Sequence, residues 1–346
     1  MEKNIQNKRF SSFELLRLVA MFGIVLHHLV IKGASTCGYV TPYDSEKDGI
    51  AGLIINSFVV GGVNCFVLIT GWFGIKKPLK GFLKVFSETV MFGIISYILV
   101  AICESDFSLK YLFDSVNFRN NWFVNSYLML LLFAPIIEKS LANIQYSELK
   151  RWIILLGVFN VVFVFLFRNL NDNGYNVIQF VFLYYIARFL RLGYDKKWSA
   201  TLSKYSFVIY ITMVSLLSMG FYGMSVYGKS MKSIVWFGYN QPLVLILSIA
   251  FFLMFAKLRF SSSFINTVSK GVFGVFVLHT TIHLIPIRNE LAHTVYVEYG
   301  YLGIFTLAII IYTICLAIAI PCSNMISKII STIYTNMNRC LQHNIQ

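Results

Sequence analysis

The residues of this 346-residue chain best able to do chemistry sit where ionisable groups are most costly. The apolar stretch Phe13 to Val30, FELLRLVAMFGIVLHHLV, contains Glu14, Arg17, His27 and His28. A run of that length and hydrophobicity suits a bilayer-spanning helix, which takes about 20 residues. Ionisable groups inside such a helix mark a functional site by default, because their desolvation must be offset. Spacing narrows the choice. At about 100° per residue, Arg17 and His28 return to within roughly 20° of one helix face, about 16 Å apart along the axis. His27 points about 80° away from Arg17 by the same count. An imidazole titrates near neutral pH, so His28 suits proton transfer. The competing reading is a snorkelling arginine and a histidine satisfied within a helix bundle, with Glu14 neutralising Arg17 one turn away.

Three other stretches carry polar groups at membrane depth. In GGVNCFVLITGWF, Gly61 to Phe73, the glycines permit close backbone approach, and Asn64 and Thr70 lie among apolar residues. A small-residue helix contact explains the same pattern. In NNWFVNSYLMLLLFAPII, Asn120 to Ile137, Trp122 and Tyr127 suit a membrane interface, and Pro135 kinks the helix or begins its end. In SKGVFGVFVLHTTIHLIP, Ser269 to Pro286, His279 and His283 are four apart and are expected on one helix face. That helix carries neither HExxH nor any Asp or Glu, so we assign no metal site and read His279 as a second intramembrane histidine of one polar pocket.

The elements that must position these groups are membrane helices. The chain is 57% hydrophobic, 16% aromatic and only 13% charged, with a mean hydropathy of +0.70. An ordinary soluble domain carries about 25% charged residues. The sequence therefore predicts an all-α integral membrane protein of about ten transmembrane helices, near 12–32, 51–73, 82–103, 122–141, 151–168, 175–192, 204–225, 240–257, 271–288 and 299–320. No internal repeat suggests an inverted-repeat transporter. The net charge of +14 would point to nucleic acid in a soluble protein; here the positive-inside rule accounts for it, and no nucleic-acid partner is expected.

Of 29 Lys and Arg residues, 20 fall in segments on the side of the N-terminus and 8 on the other, with Arg17 inside the first span. That asymmetry places both termini in the cytoplasm. One membrane domain over 1–346 results: a cytoplasmic segment 1–11, a membrane domain 12–320 and a cytoplasmic tail 321–346. The polar, basic MEKNIQNKRFSS leads into a retained span rather than a cleaved signal. The six cysteines form no CxxC, and Cys65 and Cys315 read as small apolar fillers. In this orientation a ligand with an anionic head in the cytoplasm and a long thin arm would meet Arg17 with its head and His28 with its reactive end.

FELLRLVAMFGIVLHHL resembles the opening of the membrane acyltransferase-3 family, whose signature is a basic residue, ten residues and a histidine in the first span; Arg17 and His28 fit it. VNCFVLITGWF resembles the family's FFxISGY segment, with Thr70 for serine and Trp72 for tyrosine. NWFVNSYLMLLLFAPII resembles WYLxxLLxLYLLSP, with Trp122, Tyr127 and Pro135 in register, and SKGVFGVFVLH resembles ISKxSFGIYLIH, ending in His279. The third span departs from the pattern: KKPLKGFLKVF offers Lys77 and Lys80 where many members carry an R-x2-R motif, so the bidentate fork of arginine is missing. The chain resembles the stand-alone form, without an appended soluble hydrolase-like domain.

The resemblance implies an O-acyltransferase, acetyl transfer being the leading expectation, that moves an acyl group from cytoplasmic acyl-CoA to a hydroxyl of a cell-surface or exported polysaccharide, such as capsule or exopolysaccharide, or its lipid-linked precursor. Acetyl-CoA is then the donor co-substrate and no cofactor stays bound. The glycan or lipid-linked saccharide and membrane lipids are the other partners, and the bacterial inner or plasma membrane is the location. His28 would act as base, or as the nucleophile of an acyl-histidine relay. Arg17, with Glu14 and the lysines 77 and 80, would hold the donor. Asn64, Thr70, Ser126 or Tyr127 would stabilise the oxyanion, and Trp122 and His279 would complete the site. Tyr39, Tyr43, Phe118 and Trp236, in the expected outer segments, are available to stack on sugar rings. A multi-pass transporter or flippase for a glycan or anionic metabolite is the alternative, weakened by the scarcity of membrane carboxylates.

Overall fold

Long apolar runs with few breakers have one way to satisfy their backbone in lipid, which is to close every hydrogen bond within a helix. The structure is a computed structural model that describes residues 10–34, 46–104, 108–118, 121–163, 173–226 and 236–343. Among them there is no strand, and 87% of them are helical. The helices are α1 (Ser11–His28), α2 (Glu46–Val59), α3 (Gly62–Phe73), α4 (Pro78–Glu104), α5 (Leu109–Val116), α6 (Trp122–Leu141) and α7 (Tyr146–Gly157). They continue with α8 (Val177–Leu192), α9 (Lys197–Lys204), α10 (Ser206–Val226), α11 (Pro242–Ala256), α12 (Ser263–Val268), α13 (Val272–Thr280) and α14 (Leu284–His343). Wider π-helical turns extend α1 to Ala34 and α7 to Phe163.

Helix starts follow local chemistry. The side chains of Asn121, Asn176 and Ser262 accept hydrogen bonds from the third amide beyond them, closing the first turns of α6, α8 and α12. Pro242 opens α11, where its missing N–H costs nothing. Gly74, at φ 73°, ends α3, and Gly300, at φ 60° and ψ −152°, breaks α14. Beyond Gly300 the helix runs for about 65 Å at 1.5 Å per residue, roughly twice a hydrocarbon core. Its last turns therefore extend past any bilayer that its first turns cross.

The helix α1 is the hub. It touches α2, α3, α11, α12, α13 and α14, and Leu16, Val25 and Leu29 are fully buried along it. On one side, α3 packs against α8 closely enough that Gly71 has the backbone of Tyr184 and the Ala187 methyl where a side chain would stand. On the other, α4 packs on α6, α13 and α14.

Among the described residues, six helical segments are long and apolar enough to cross a membrane: Ser11–Ile31, Gly49–Phe73, Pro78–Ile102, Trp122–Leu141, Ser206–Met224 and Leu284–Met337. There are seven if the bent pair α8 and α9 is one span. The multi-pass all-α expectation holds, and these helices account for six or seven of the ten expected spans. One expected span is broken outright. The segment 271–288 ends as a helix at Thr280, and Thr281 is extended at ψ 135°. The cause is local. His279, Thr280 and Thr281 turn their side chains back onto the carbonyls of Val275, Phe276 and Val277 at 2.6, 2.6 and 2.8 Å. Such bonds compete with helix continuation. The Thr281 oxygen in turn accepts from the hydroxyl of Ser96 of α4, 3.1 Å away. His283 consequently lies outside α13 and does not share a helix face with His279; its ring packs on Tyr111 at 4.6 Å.

Candidate active site

A cavity of about 300 Å³ opens between α1, α3, α4, α6 and α13. The helix α1 gives it a single stripe, Glu14, Arg17, Met21 and Ile24, and the next position on that stripe is His28. At 1.5 Å per residue His28 lies about 6 Å beyond Ile24. The opposite wall, Val272, Phe273 and Phe276 of α13, likewise leads to His279. The two stripes converge: His28 Nδ1 stands 3.0 Å from His279 Nε2, and the rings lie 5.1 Å apart at 40°. His28 and His279 do not line the cavity. Between it and them stand Ile24 and Phe276, 4% and 7% exposed. The Phe276 ring meets Phe123 at 5.0 Å and His279 edge-on at 6.1 Å.

The far end of the cavity is charged. Arg17 donates to Glu14 at 2.7 Å, with Arg17 partly exposed and Glu14 buried. Lys84 stands 3.8 Å from Glu88, whose side chain is 2% exposed. Lys270 joins them. Three cations against two carboxylates leave a formal charge of +1 in a chamber lined elsewhere by aromatic and aliphatic side chains, Thr70 and Ser269 apart. Glu88 and Lys84 were not among the site residues expected from sequence. The available signal was an acid one turn after a lysine inside the third apolar segment.

The structure brings Glu14, Arg17, Thr70 and Tyr127 to the cavity, and pairs His28 with His279 beyond its end. Thr70 donates its proton to the Phe66 carbonyl at 2.9 Å, so Tyr127, 3.0 Å away, donates to Thr70. Both hydroxyl protons are thus engaged, and the pair presents lone pairs rather than oxyanion donors. Asn64 is directed elsewhere. Its amide donates to the Tyr239 carbonyl and Ser248 and accepts from Gln179, a buried network that ties α3 to α8 and α11. Trp122 stacks on Tyr239 at 5.4 Å and meets Tyr175 edge-on, away from the cavity. Lys77 precedes α4 and does not line the cavity, and Lys80 donates to Ser331 of α14. Gly81 and Lys84 take the cavity face of α4 instead.

Phe118 and Trp236 are also engaged, Phe118 stacked on Phe86 and Trp236 donating to the Leu217 carbonyl. Tyr39 and Tyr43 lie outside the described residues.

The arrangement is a chamber with a charged mouth, an apolar barrel and an imidazole pair at its closed end. It suits proton transfer to or from a group delivered on a slender arm. In comparison with known proteins, one family model, described as an acyltransferase domain, matches residues 10–326. No curated protein and no solved structure matches the chain.

Proposed function

The chain belongs to the acyltransferase-3 family, and from that premise we propose that it moves an acyl group, acetyl first among the candidates, from cytoplasmic acyl-CoA to a hydroxyl of a cell-surface or exported polysaccharide or its lipid-linked precursor. The observation that carries this reading is the continuous stripe on α1 from Arg17 at the cavity mouth to His28 beyond its end. Both termini lie in the cytoplasm in this reading, as the distribution of Lys and Arg favours. The charged mouth then faces the donor. Arg17, Lys84 and Lys270 attract the phosphates of CoA. A chamber of about 300 Å³ takes the pantetheine arm and leaves the nucleotide outside.

The chemistry follows from an alcohol being a poor nucleophile until its proton is taken. His28 accepts the proton of the sugar hydroxyl as the oxygen attacks the thioester carbonyl. The new C–O bond forms, the C–S bond breaks, and the proton passes from His28 to the departing sulfur. The acyl group must pass Ile24 and Phe276 to reach the imidazole, so the closed end opens when donor and acceptor are both bound.

The test uses purified protein in vesicles with acetyl-CoA, following free thiol with and without a crude glycan fraction. Glycan-dependent thiol release is expected from wild type and absent from His28→Ala, with membrane insertion intact. Full activity in that variant removes His28 from the chemistry. Absence of thiol release with every donor, alongside gradient-driven flux of a glycan, would make the protein a transporter.

A further inference from the structure

Which nitrogen of His28 carries the lone pair is decided on another helix. His279 is 3% exposed, and its Nδ1 lies 2.6 Å from the Val275 carbonyl oxygen. A carbonyl only accepts, so Nδ1 of His279 carries hydrogen. Burial favours the uncharged imidazole, which has one N–H. The lone pair of His279 is therefore on Nε2, the atom 3.0 Å from His28 Nδ1. One of two facing nitrogens must donate, and here it is His28 Nδ1. The lone pair of His28 is then on Nε2.

His279 is itself held in place. Arg288, 8% exposed, donates from Nη1 to the His279 carbonyl at 2.8 Å. The hydroxyls of Thr280 and Thr281 fasten the same final turn of α13. The neighbouring His27 has no part in this pair: its Nδ1 meets Asn56 Oδ1 at 2.6 Å on α2.

We propose that His279 is a positioning residue for the transfer reaction. It fixes His28 in the Nδ1–H tautomer, so that Nε2 accepts the acceptor's proton, and it steadies the imidazolium that results. This rests on the reading of His28 as base. When the hydroxyl O–H breaks, its proton goes to His28 Nε2, and His28 Nδ1–H stays donated to His279 Nε2. The proton on Nε2 then goes to the CoA sulfur as C–S breaks. A carboxylate orients the base in the Ser-His-Asp triad. A neutral histidine does so here without placing another charge at membrane depth.

The experiment compares full-length wild type, His279→Leu, His279→Gln and His28→Ala in vesicles, with kcat and KM for acetyl-CoA measured separately. Leucine fills the space without accepting, and is expected to lower kcat by about 10²-fold with the donor KM changed by less than about threefold. Glutamine offers a side-chain oxygen to Nδ1–H and is expected to recover about tenfold of that loss. Equal activity of the Leu and Gln variants, or a Leu variant near wild type, overturns the proposal. A parallel measurement needs no folded His279 variant. Nitrogen-15 shifts of histidine-labelled wild type, with His28 assigned by its loss in His28→Ala, are expected to show protonated Nδ1 and bare Nε2. The opposite tautomer overturns the proposal. Full activity of His28→Ala would instead overturn the reading of His28 as base, and the tautomer measurement keeps the two failures apart.

Discussion

His27 and His28 are adjacent in the chain but diverge by about 100° around α1, so each meets a different helix. His27 meets Asn56 on α2, and His28 meets His279 on α13. Only the second lies on the stripe that leads back to Arg17. At that other end, Arg17 is held by Glu14 and partly open to the cavity. A charge-assisted hydrogen bond to a phosphate contributes about 1.5–3 kcal/mol, which converts to a factor of about ten or more in affinity. Arg17→Gln is therefore expected to raise the KM for acetyl-CoA by about tenfold while kcat changes less. An unchanged dependence of rate on donor concentration would exclude Arg17 from donor binding. Glu88 is the residue that changes the sequence reading most. It places a carboxylate, 2% exposed, in the cavity wall of a span, where membrane carboxylates were expected to be scarce.

The helices set these residues by how closely they can approach. The face of α3 that carries Val63, Phe66 and Thr70 lines the cavity, while its other face lies directly on α8. A Cβ at Gly71 would stand 2.8 Å from the Cα and carbonyl oxygen of Tyr184 and 2.9 Å from the Ala187 methyl. Backbone cannot yield as a flexible side chain can. Gly71→Ala is expected to cost about 1–3 kcal/mol by overpacking and to lower the midpoint of thermal unfolding in detergent. Activity should fall with it, since Thr70 sits on the displaced turn. A midpoint equal to wild type would mean that α3 and α8 have room to separate. The end of α13 shows the complementary device. Three successive side chains bonded to its own carbonyls stop the helix, and the stop leaves His279 facing α1 while His283 turns to Tyr111.

Across the whole molecule, the charged mouth lies at the end where α1 begins, α3 ends and α4 starts. Lysines 76, 77 and 80 sit at the same end, in the turn after α3 and the first turn of α4. The proposed donor side and the basic side therefore coincide. A reporter active only in the cytoplasm, fused after residue 346, is expected to be active, as is one fused before residue 1. Activity at one terminus alone would mean an odd number of crossings and would reverse half of the proposed segment assignments.

The chain by itself determined the membrane as solvent, an all-helical secondary structure and the shared register of Arg17 and His28 on one helix. Hydrophobicity and charge are summed along a run of residues, so membrane helices show directly. The register of Arg17 and His28 follows from the helical repeat alone, because both lie on one unbroken helix. The sequence could not assign partners between helices. His279 sits 251 positions from His28, Glu88 reaches the cavity only through the rotation of α4, and Asn64 is taken by Gln179, Tyr239 and Ser248 from two distant helices. Each of these depends on which faces pack together, and apolar runs that all satisfy the bilayer equally well carry little information about that choice. Tertiary packing decided it, through close approach at glycines and through buried polar groups that had to find one another.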